Sequence, residues 1–184
     1  MAIVQKTRKL RLYCFDVEAR PGPWGGNDFV YKQMLSMAGA YDGEPIDYLG
    51  PGFTRGQLRD FVLPIRAPDT IVVCHNGRYD LGLLSGTLIA LGLPPLGRIL
   101  LSDTMRHLPK NGYAFSRGLG DMCRRFGVPE PKGHMSAYDW EQVYAGDPAA
   151  LDRLRDYNRQ DVTCTLALRR ALADVLLPPR IWKP

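Results

Sequence analysis

Short apolar segments occupy the first hundred or so residues of the chain, and longer amphipathic segments follow them. The segments at 10–18, 69–76 and 98–104 are rich in aliphatic and aromatic residues and predict strands. Residues 29–50 predict two further strands joined by a turn at Asp42–Gly43, because Asp-Gly favours the tight turns of hairpins.

Apolar residues repeat at helical spacing in the remaining segments. The predicted helices are 54–65, which begins after a Thr54 cap, and 77–93, 116–128, 136–146 and 147–177. Strands mixed with helices, followed by helices alone, predict one α/β domain over residues 1–184, with a mixed β-sheet and helices on its faces. Residues 178–184 carry three prolines and predict a C-terminal tail after the last helix.

The apolar stripe of the last helix contains a carboxylate. Steps of three and four residues place six positions on one face of this helix, and one of the six is Asp161. A lone buried carboxylate costs several kcal/mol, so it needs a partner or a function. The six positions are Leu154, Tyr157, Asp161, Cys164, Leu168 and Leu172.

Acidic residues stand at apolar positions in two other elements as well. On the first strand, Asp16 and Glu18 continue the row formed by Leu10, Leu12 and Cys14. In the helix at 77–93, Asp80 begins an otherwise leucine-rich stripe. Each acid also has a structural explanation: a strand end that reaches solvent, a first-turn acid that complements the helix dipole, or a helix rotated to expose Asp161.

Taken together, the four acids predict a site for divalent cations. Carboxylates that converge in a poorly solvated site repel one another, and bound cations remove this repulsion. Oxygen ligands suit Mg²⁺ or Mn²⁺, and two such ions can promote phosphoryl transfer. The four cysteines form no CxxC motif, so a zinc site is not expected.

Composition and charge agree with an intracellular protein that acts on an anionic partner. The chain has 184 residues, a net charge of +5 and a pI near 9.1, which is compatible with nucleic acid binding without establishing it. Cysteines within apolar segments are typical of a reducing compartment. No secretion signal and no membrane-spanning segment is expected, and we expect a cytoplasmic location.

The order and spacing of these acids resemble the motifs of the DEDD (DnaQ-like) superfamily of 3′–5′ exonucleases. "FDVEARP" with Asp16 and Glu18 is similar to the first family motif, and "HNGRYD" with Asp80 is similar to the second. "YNRQD" is similar to the third motif of the tyrosine branch, with Tyr157 four residues before Asp161. The alternative third motif is "HMSAYD", in which His134 stands five residues before Asp139, as in the histidine branch.

The resemblance implies a ribonuclease H-like fold and hydrolysis of phosphodiester bonds from the 3′ end, with release of nucleoside 5′-monophosphates. It implies that Asp16, Glu18, Asp80 and Asp161 hold two divalent cations, Mg²⁺ or Mn²⁺, with Asp16 as the bridge. It also implies that Tyr157 orients the attacking water. A catalytically silent binding module and an RNase H-like endonuclease or resolvase are the alternative functions on the same fold.

An asparagine, a tryptophan and a group of basic residues are candidates for contact with substrate. Asn76 is a candidate from the resemblance, with a helix cap as the alternative role. Trp24 is a candidate for stacking a base, and Arg117 heads a group of candidates for backbone phosphate. We expect DNA in preference to RNA as the partner, no membrane, and a replication or repair partner in trans; the oligomeric state stays open. The other phosphate candidates are Arg124, Arg125 and Lys132.

Overall fold

This computed structural model describes residues 9–20, 33–108, 116–129 and 134–183. Within these residues, six strands form one mixed sheet: β1 (Arg11–Arg20), β2 (Gln33–Tyr41), β3 (Asp47–Leu49), β4 (Thr70–Cys74), β5 (Ile99–Asp103) and β6 (Arg180–Trp182). Their order in the sheet is β3-β2-β1-β4-β5-β6. The parallel pairs are β1 with β4 and β4 with β5, and the other neighbouring strands are antiparallel.

Helices cover both faces of this sheet, which confirms the predicted α/β architecture. The segment predicted as one helix at 54–65 is two helices that meet at Val62, because Pro64 has no N–H to donate to the carbonyl of Asp60. Thr54 caps the first of them as predicted. The helices are α1 (Arg55–Phe61), α2 (Leu63–Arg66), α3 (Gly77–Ala90), α4 (Leu119–Arg125), α5 (Ala137–Ala145) and α6 (Pro148–Ala171).

Side chains of β1 alternate between two separate parts of the core. Tyr13, Phe15 and Val17 pack with the buried residues of α1, α2 and α3. Leu12 and Cys14 pack on the opposite face, with residues of α6. The even-numbered positions of β1 therefore face α6, as the period of two in a strand requires.

The long helix α6 lies close against the centre of the sheet. Small side chains on this face, Ala38, Ala40 and Cys14, let Val162 and Leu166 approach the strands. Helices α4 and α5 pack against the outer side of α6. Its predicted apolar stripe is buried, because Leu154, Cys164, Leu168 and Leu172 are fully shielded from solvent.

The C-terminal segment, predicted as a tail over 178–184, contains a short strand. Residues Arg180–Trp182 form β6, which pairs antiparallel with β5 at the edge of the sheet. Three residues are too few to show a periodicity, and their pairing depends on the open edge that β5 offers.

In the part of the chain that the structure describes, no helix has the combination of length and hydropathy needed to cross a membrane.

Candidate metal centre

Three of the four predicted acids meet at the carboxyl end of β1. Oxygen atoms of Asp16, Glu18 and Asp161 all lie within 4.8 Å of one another. Asp161 is 3% exposed, and the other two are partly buried. Three carboxylates this close repel one another in a poorly solvated site, and a divalent cation with oxygen ligands relieves that repulsion. The donor set therefore fits Mg²⁺ or Mn²⁺.

Local geometry explains why these acids converge. Asp16 and Glu18 are even-numbered residues of β1 and extend the row that faces α6. The register between β1 and β2 shifts after Glu18, where Leu35 of β2 has no partner on β1, so the pairing of the two strands is irregular where the acids end. Asp161 lies on the buried side of α6, one turn after Tyr157, and reaches the same row.

Asp80 lies in the first turn of α3 and is not among the three acids that meet within 4.8 Å. Its side chain is 4% exposed. Burial raises its pKa well above the ordinary value, and the nearby charges of Glu18 and Asp103 raise it further. Hydrogen bonds from the backbone N–H groups of Asp80 and Val17 act in the opposite direction. Asp80 therefore stands beside the three acids, near enough to Glu18 for their charges to interact.

We expect Asp80→Asn to stabilise the metal-free protein at about pH 8 and to change little at about pH 4. The raised pKa means that the native protein holds the Asp80 proton more tightly than the unfolded chain does, whose aspartates titrate near ~3.9. This contribution to stability is complete below the unfolded pKa and is lost as pH rises through the native pKa.

Asparagine has no charge to bury, so its advantage over Asp80 should grow with pH. Urea unfolding in the presence of a chelator, at both pH values, measures the difference. Asp60→Asn is the control, because Asp60 forms an exposed ion pair with Arg59. An advantage that is the same at both pH values would contradict the expectation.

The start of α3 is held by Asp103 at the end of β5. This carboxylate is fully buried and accepts hydrogen bonds from four backbone N–H groups: those of Asn76 (3.2 Å), Gly77 (2.8 Å), Met105 (2.9 Å) and Arg106 (2.9 Å). Asp103 thus does for α3 what an N-cap side chain usually does. It also ties the turn that leads to Asp80 to the sheet.

Asn76 does not cap α3 with its side chain, although it occupies the N-cap position. Its backbone is left-handed, with φ of 65°, and its Oδ1 accepts a hydrogen bond from Arg106 Nε at 3.0 Å. Of its two possible roles, the side-chain cap is absent in this structure. Substrate contact stays a prediction.

Arg117 helps to close the turn that follows β5. Its guanidinium Nη1 lies 3.2 Å from the carbonyl oxygen of Met105 and 3.5 Å from that of Leu108. Its own carbonyl oxygen accepts a hydrogen bond from His75 Nε2 at 2.8 Å. The side chain therefore has a structural role, and its predicted contact with phosphate remains a prediction.

The other predicted substrate contacts are only partly described. Arg124 is exposed and forms an ion pair with Asp121. Arg125 is exposed as well. Trp24 and Lys132 lie outside the described residues.

Tyr157 is partly buried and lies one helical turn before Asp161. Its ring meets Trp140 of α5 edge-on, at 6.3 Å between centroids, and Trp140 stacks on Tyr144. Tyr157 also lines a cavity of about 190 Å³ with residues of α6 and with His134. Packing against Trp140 gives the phenol a defined position one turn before Asp161.

The alternative third motif has a different environment. Asp139 forms a capping box with Ser136 at the start of α5, and Arg153 Nε donates to it at 3.0 Å. These contacts lower the pKa of Asp139, with the hydrogen bond from Ser136 as the largest cause. His134 is exposed. Asp139 is thus engaged at a helix terminus and is not among the acids that meet at β1.

Two residues near the acids were not selected by the sequence patterns. Asn158 is fully buried and donates from Nδ2 to Asp16 Oδ2 at 2.6 Å. Tyr79 is partly buried, and burial raises its pKa to about 12, with further contributions from Glu18 and Asp80. Both residues lie inside the quoted motifs. Asn158 could have been selected from the sequence, because it is a polar residue at a position that the helix buries.

Comparison with known proteins identifies a family. The model of the RNase_H superfamily matches residues 14–173. A DNA polymerase III PolC-type protein of Streptococcus suis (strain 98HAH33) is 36% identical over 75 residues, which are 40% of this chain. The matched part is 5% of that relative, so this chain corresponds to a small segment of it.

Solved structures share the fold at low identity. The family B DNA polymerase of the hyperthermophilic archaeon Pyrobaculum calidifontis superposes with a TM-score of 0.68 at 22% identity, covering 89% of this chain and 24% of that one. NrnC of Brucella melitensis superposes with a TM-score of 0.64 at 19% identity, covering 92% of this chain and 75% of that one. These likenesses show that the fold is shared, and the family match over residues 14–173 identifies it as ribonuclease H-like.

Proposed function

The chain belongs to the RNase_H superfamily, and on this basis we propose that it is a metal-dependent 3′–5′ exonuclease that releases nucleoside 5′-monophosphates. The observation that carries the proposal is the meeting of Asp16, Glu18 and Asp161 within 4.8 Å. The DNA polymerase III PolC-type relative supports DNA rather than RNA as the substrate.

Three of the four acids lie together, and Asp80 lies beside them. Asp16, Glu18 and Asp161 would hold a divalent cation directly, and Asp80, whose charge interacts with that of Glu18, would complete the set of four acids for a second. Bound Mg²⁺ or Mn²⁺ would activate water and neutralise charge on the phosphate that is attacked and on the leaving oxygen. Without cations, an acidic site would repel a phosphodiester, so activity should require them.

The chain itself would position the substrate and the water. Tyr157 lies one helical turn before Asp161, and the two share a face of α6. A phenol with an ordinary pKa near ~10 is a poor base at neutral pH, so we assign Tyr157 the role of orienting the water by a hydrogen bond. With this role for Tyr157, the chain would belong to the tyrosine branch of the exonuclease superfamily.

Tyr157→Phe should lower kcat about 10–100-fold and leave the affinity for Mn²⁺ unchanged. Phenylalanine keeps the edge-on contact with Trp140 but has no hydroxyl. Steady-state cleavage kinetics and Mn²⁺ titration measure the two effects. Tyr138→Phe is the matched control, because Tyr138 is 65% exposed on α5. Full activity of Tyr157→Phe would remove the chain from the tyrosine branch.

A cleavage assay on the full chain tests the proposed function. With Mg²⁺ or Mn²⁺, a single-stranded DNA oligomer labelled at its 3′ end should release labelled mononucleotide, and a chelator should stop the reaction. A circular single strand should stay intact. Cleavage of the circle would indicate an endonuclease, and no cleavage of any strand would indicate a binding module. An RNA oligomer degraded faster than the DNA would contradict the preference for DNA.

We propose in addition that a replication or repair protein supplies the strand end in trans. The support is that the matching segment of the PolC-type relative belongs to a DNA polymerase. Affinity purification of the tagged chain from its own cells, followed by mass spectrometry, would test this. Recovery of the chain without any such protein after mild crosslinking would contradict it.

A further inference from the structure

Asn158 connects α6 to the acids of β1 in a way that neither the sequence motifs nor the family explains. It follows Tyr157 directly and precedes Asp161 by three residues, so it shares the buried side of α6 with Asp161. Its side chain has 0% exposure. A buried amide in a helix needs partners for both its ends, and Asn158 has one at each end.

The amide bridges two neighbouring strands. Asn158 Nδ2 donates to Asp16 Oδ2 at 2.6 Å, and Asn158 Oδ1 accepts from Ser36 Oγ at 3.2 Å. Ser36 is fully buried on β2, where it pairs directly with Glu18 of β1. The three side chains therefore form a continuous hydrogen-bonded network, which runs from Ser36 of β2 through Asn158 of α6 to Asp16 of β1.

The chemistry of the three side chains fixes which atom donates and which accepts in this network. The Asp16 carboxylate can only accept, so the NH₂ end of the amide faces Asp16, and the carbonyl end accepts from the Ser36 hydroxyl. A carboxylate accepts up to about four hydrogen bonds or metal contacts, so the bond from Asn158 is compatible with cation binding by the same group. Because the donor is a neutral amide, it orients the carboxylate and leaves its charge in place. An Arg or Lys at this position would neutralise that charge.

We propose that Asn158 is a positioning residue that holds the Asp16 carboxylate in its metal-binding orientation, with Ser36 as its support. This inference rests on the proposed function, because it assigns Asp16 to a divalent cation. Ligands of metal ions depend on such outer partners, and loss of a partner typically costs about 10–100-fold in metal affinity or activity. Without Asn158, Asp16 would lose a short hydrogen bond that fixes its orientation, and part of its ordering would have to come from the metal itself.

Calorimetric titration of the metal-free full chain with Mn²⁺ tests the proposal without reference to activity. Asn158→Ala should bind Mn²⁺ about 10–100-fold more weakly than the wild type. In cleavage assays its kcat should fall at low Mn²⁺ and recover in part at high Mn²⁺, while the KM for DNA stays close to the wild-type value.

Thr165→Val is the matched control. Thr165 is another buried polar residue of α6, 2% exposed and two turns farther along the helix. Its substitution also removes a buried polar group and should leave the affinity for Mn²⁺ unchanged. A role of Asn158 that is merely structural would lower stability in both variants and weaken Mn²⁺ binding in neither.

Folded Asn158→Ala with wild-type Mn²⁺ affinity would overturn the proposal. If circular dichroism shows that Asn158→Ala does not fold, Ser36→Ala takes its place, and an unchanged affinity in that variant would overturn the proposal equally. These outcomes are distinct from failure of the proposed function, in which the wild-type chain would neither bind Mn²⁺ nor release mononucleotides.

Discussion

Asp161→Asn is expected to abolish metal-dependent cleavage while the protein stays folded. Asp161 supplies one of three carboxylates that lie within 4.8 Å of one another, and its side chain is 3% exposed. A neutral amide is a far weaker cation ligand than a carboxylate. A loss of about 4 kcal/mol in transition-state stabilisation corresponds to about 10³-fold in rate, and the loss here should be at least that large.

The same substitution should make the metal-free protein more stable. Removal of one charge from the group of three relieves repulsion between Asp161 and its neighbours Asp16 and Glu18. We expect the free energy of unfolding without metal to rise by about 1 kcal/mol or more. The stabilisation that Mn²⁺ confers on the wild type should disappear in the variant.

Thermal unfolding with and without Mn²⁺, together with the oligomer assay, measures both effects. Asp152→Asn is the matched control, because Asp152 is an exposed aspartate of the same helix in a surface ion pair with Arg155. It should keep full activity and the stability of the wild type to within about 0.5 kcal/mol. Retained cleavage by folded Asp161→Asn would remove Asp161 from the site.

Asp103→Ala is expected to lower the free energy of unfolding by about 3–5 kcal/mol, the largest stability effect that we expect for a substitution near the site. Four backbone N–H groups at the start of α3 and in the following turn would lose their acceptor. The carboxylate is fully buried and its bond with the Gly77 N–H is buried too, so water has little access to replace it there. Because this network leads directly to Asp80, cleavage should fall as well.

Asp103→Asn provides a graded comparison. Its carbonyl oxygen can take the place of Oδ1 and accept from Asn76, Met105 and Arg106. Its NH₂ group would then face the N–H of Gly77, where two donors cannot bond. We therefore expect a loss of about 2 kcal/mol, measured by urea unfolding. Equal stability of Asp103→Ala and the wild type would contradict the assigned role.

The periodicity of apolar residues accounts for most of the fold. The strand at 10–18 and the helix at 77–93 were predicted from local pattern, and each is present within three residues of its predicted bounds. The last helix, predicted over 147–177, is present but ends at Ala171. The pattern misjudged element ends, where few residues carry the signal. Leu91 extends the predicted stripe of α3, yet it is 37% exposed because the helix ends at Ala90.

The acids were identified in sequence because each breaks an apolar pattern. Asp16, Glu18 and Asp161 stand where β1 and α6 should be apolar, and the fold places these three together. The pattern treated Asp80 as their equal, although it forms no part of the group of three. Its separation depends on how α3 leaves the sheet, which Asp103 controls from a strand 20 or more residues away in sequence.

The sequence by itself determined which residues are polar within apolar rows, because burial on strands and helices follows short, regular periods that can be counted. Only the tertiary structure decided which polar groups meet. Asn158 reaches Asp16 across 142 positions in sequence and Asp103 reaches Gly77 across 26. Such contacts depend on strand order and on the placement of α6, and no local period encodes these. The acidic residues of the candidate site were selected from the sequence, and the hydrogen bonds that support them are seen only in the folded structure.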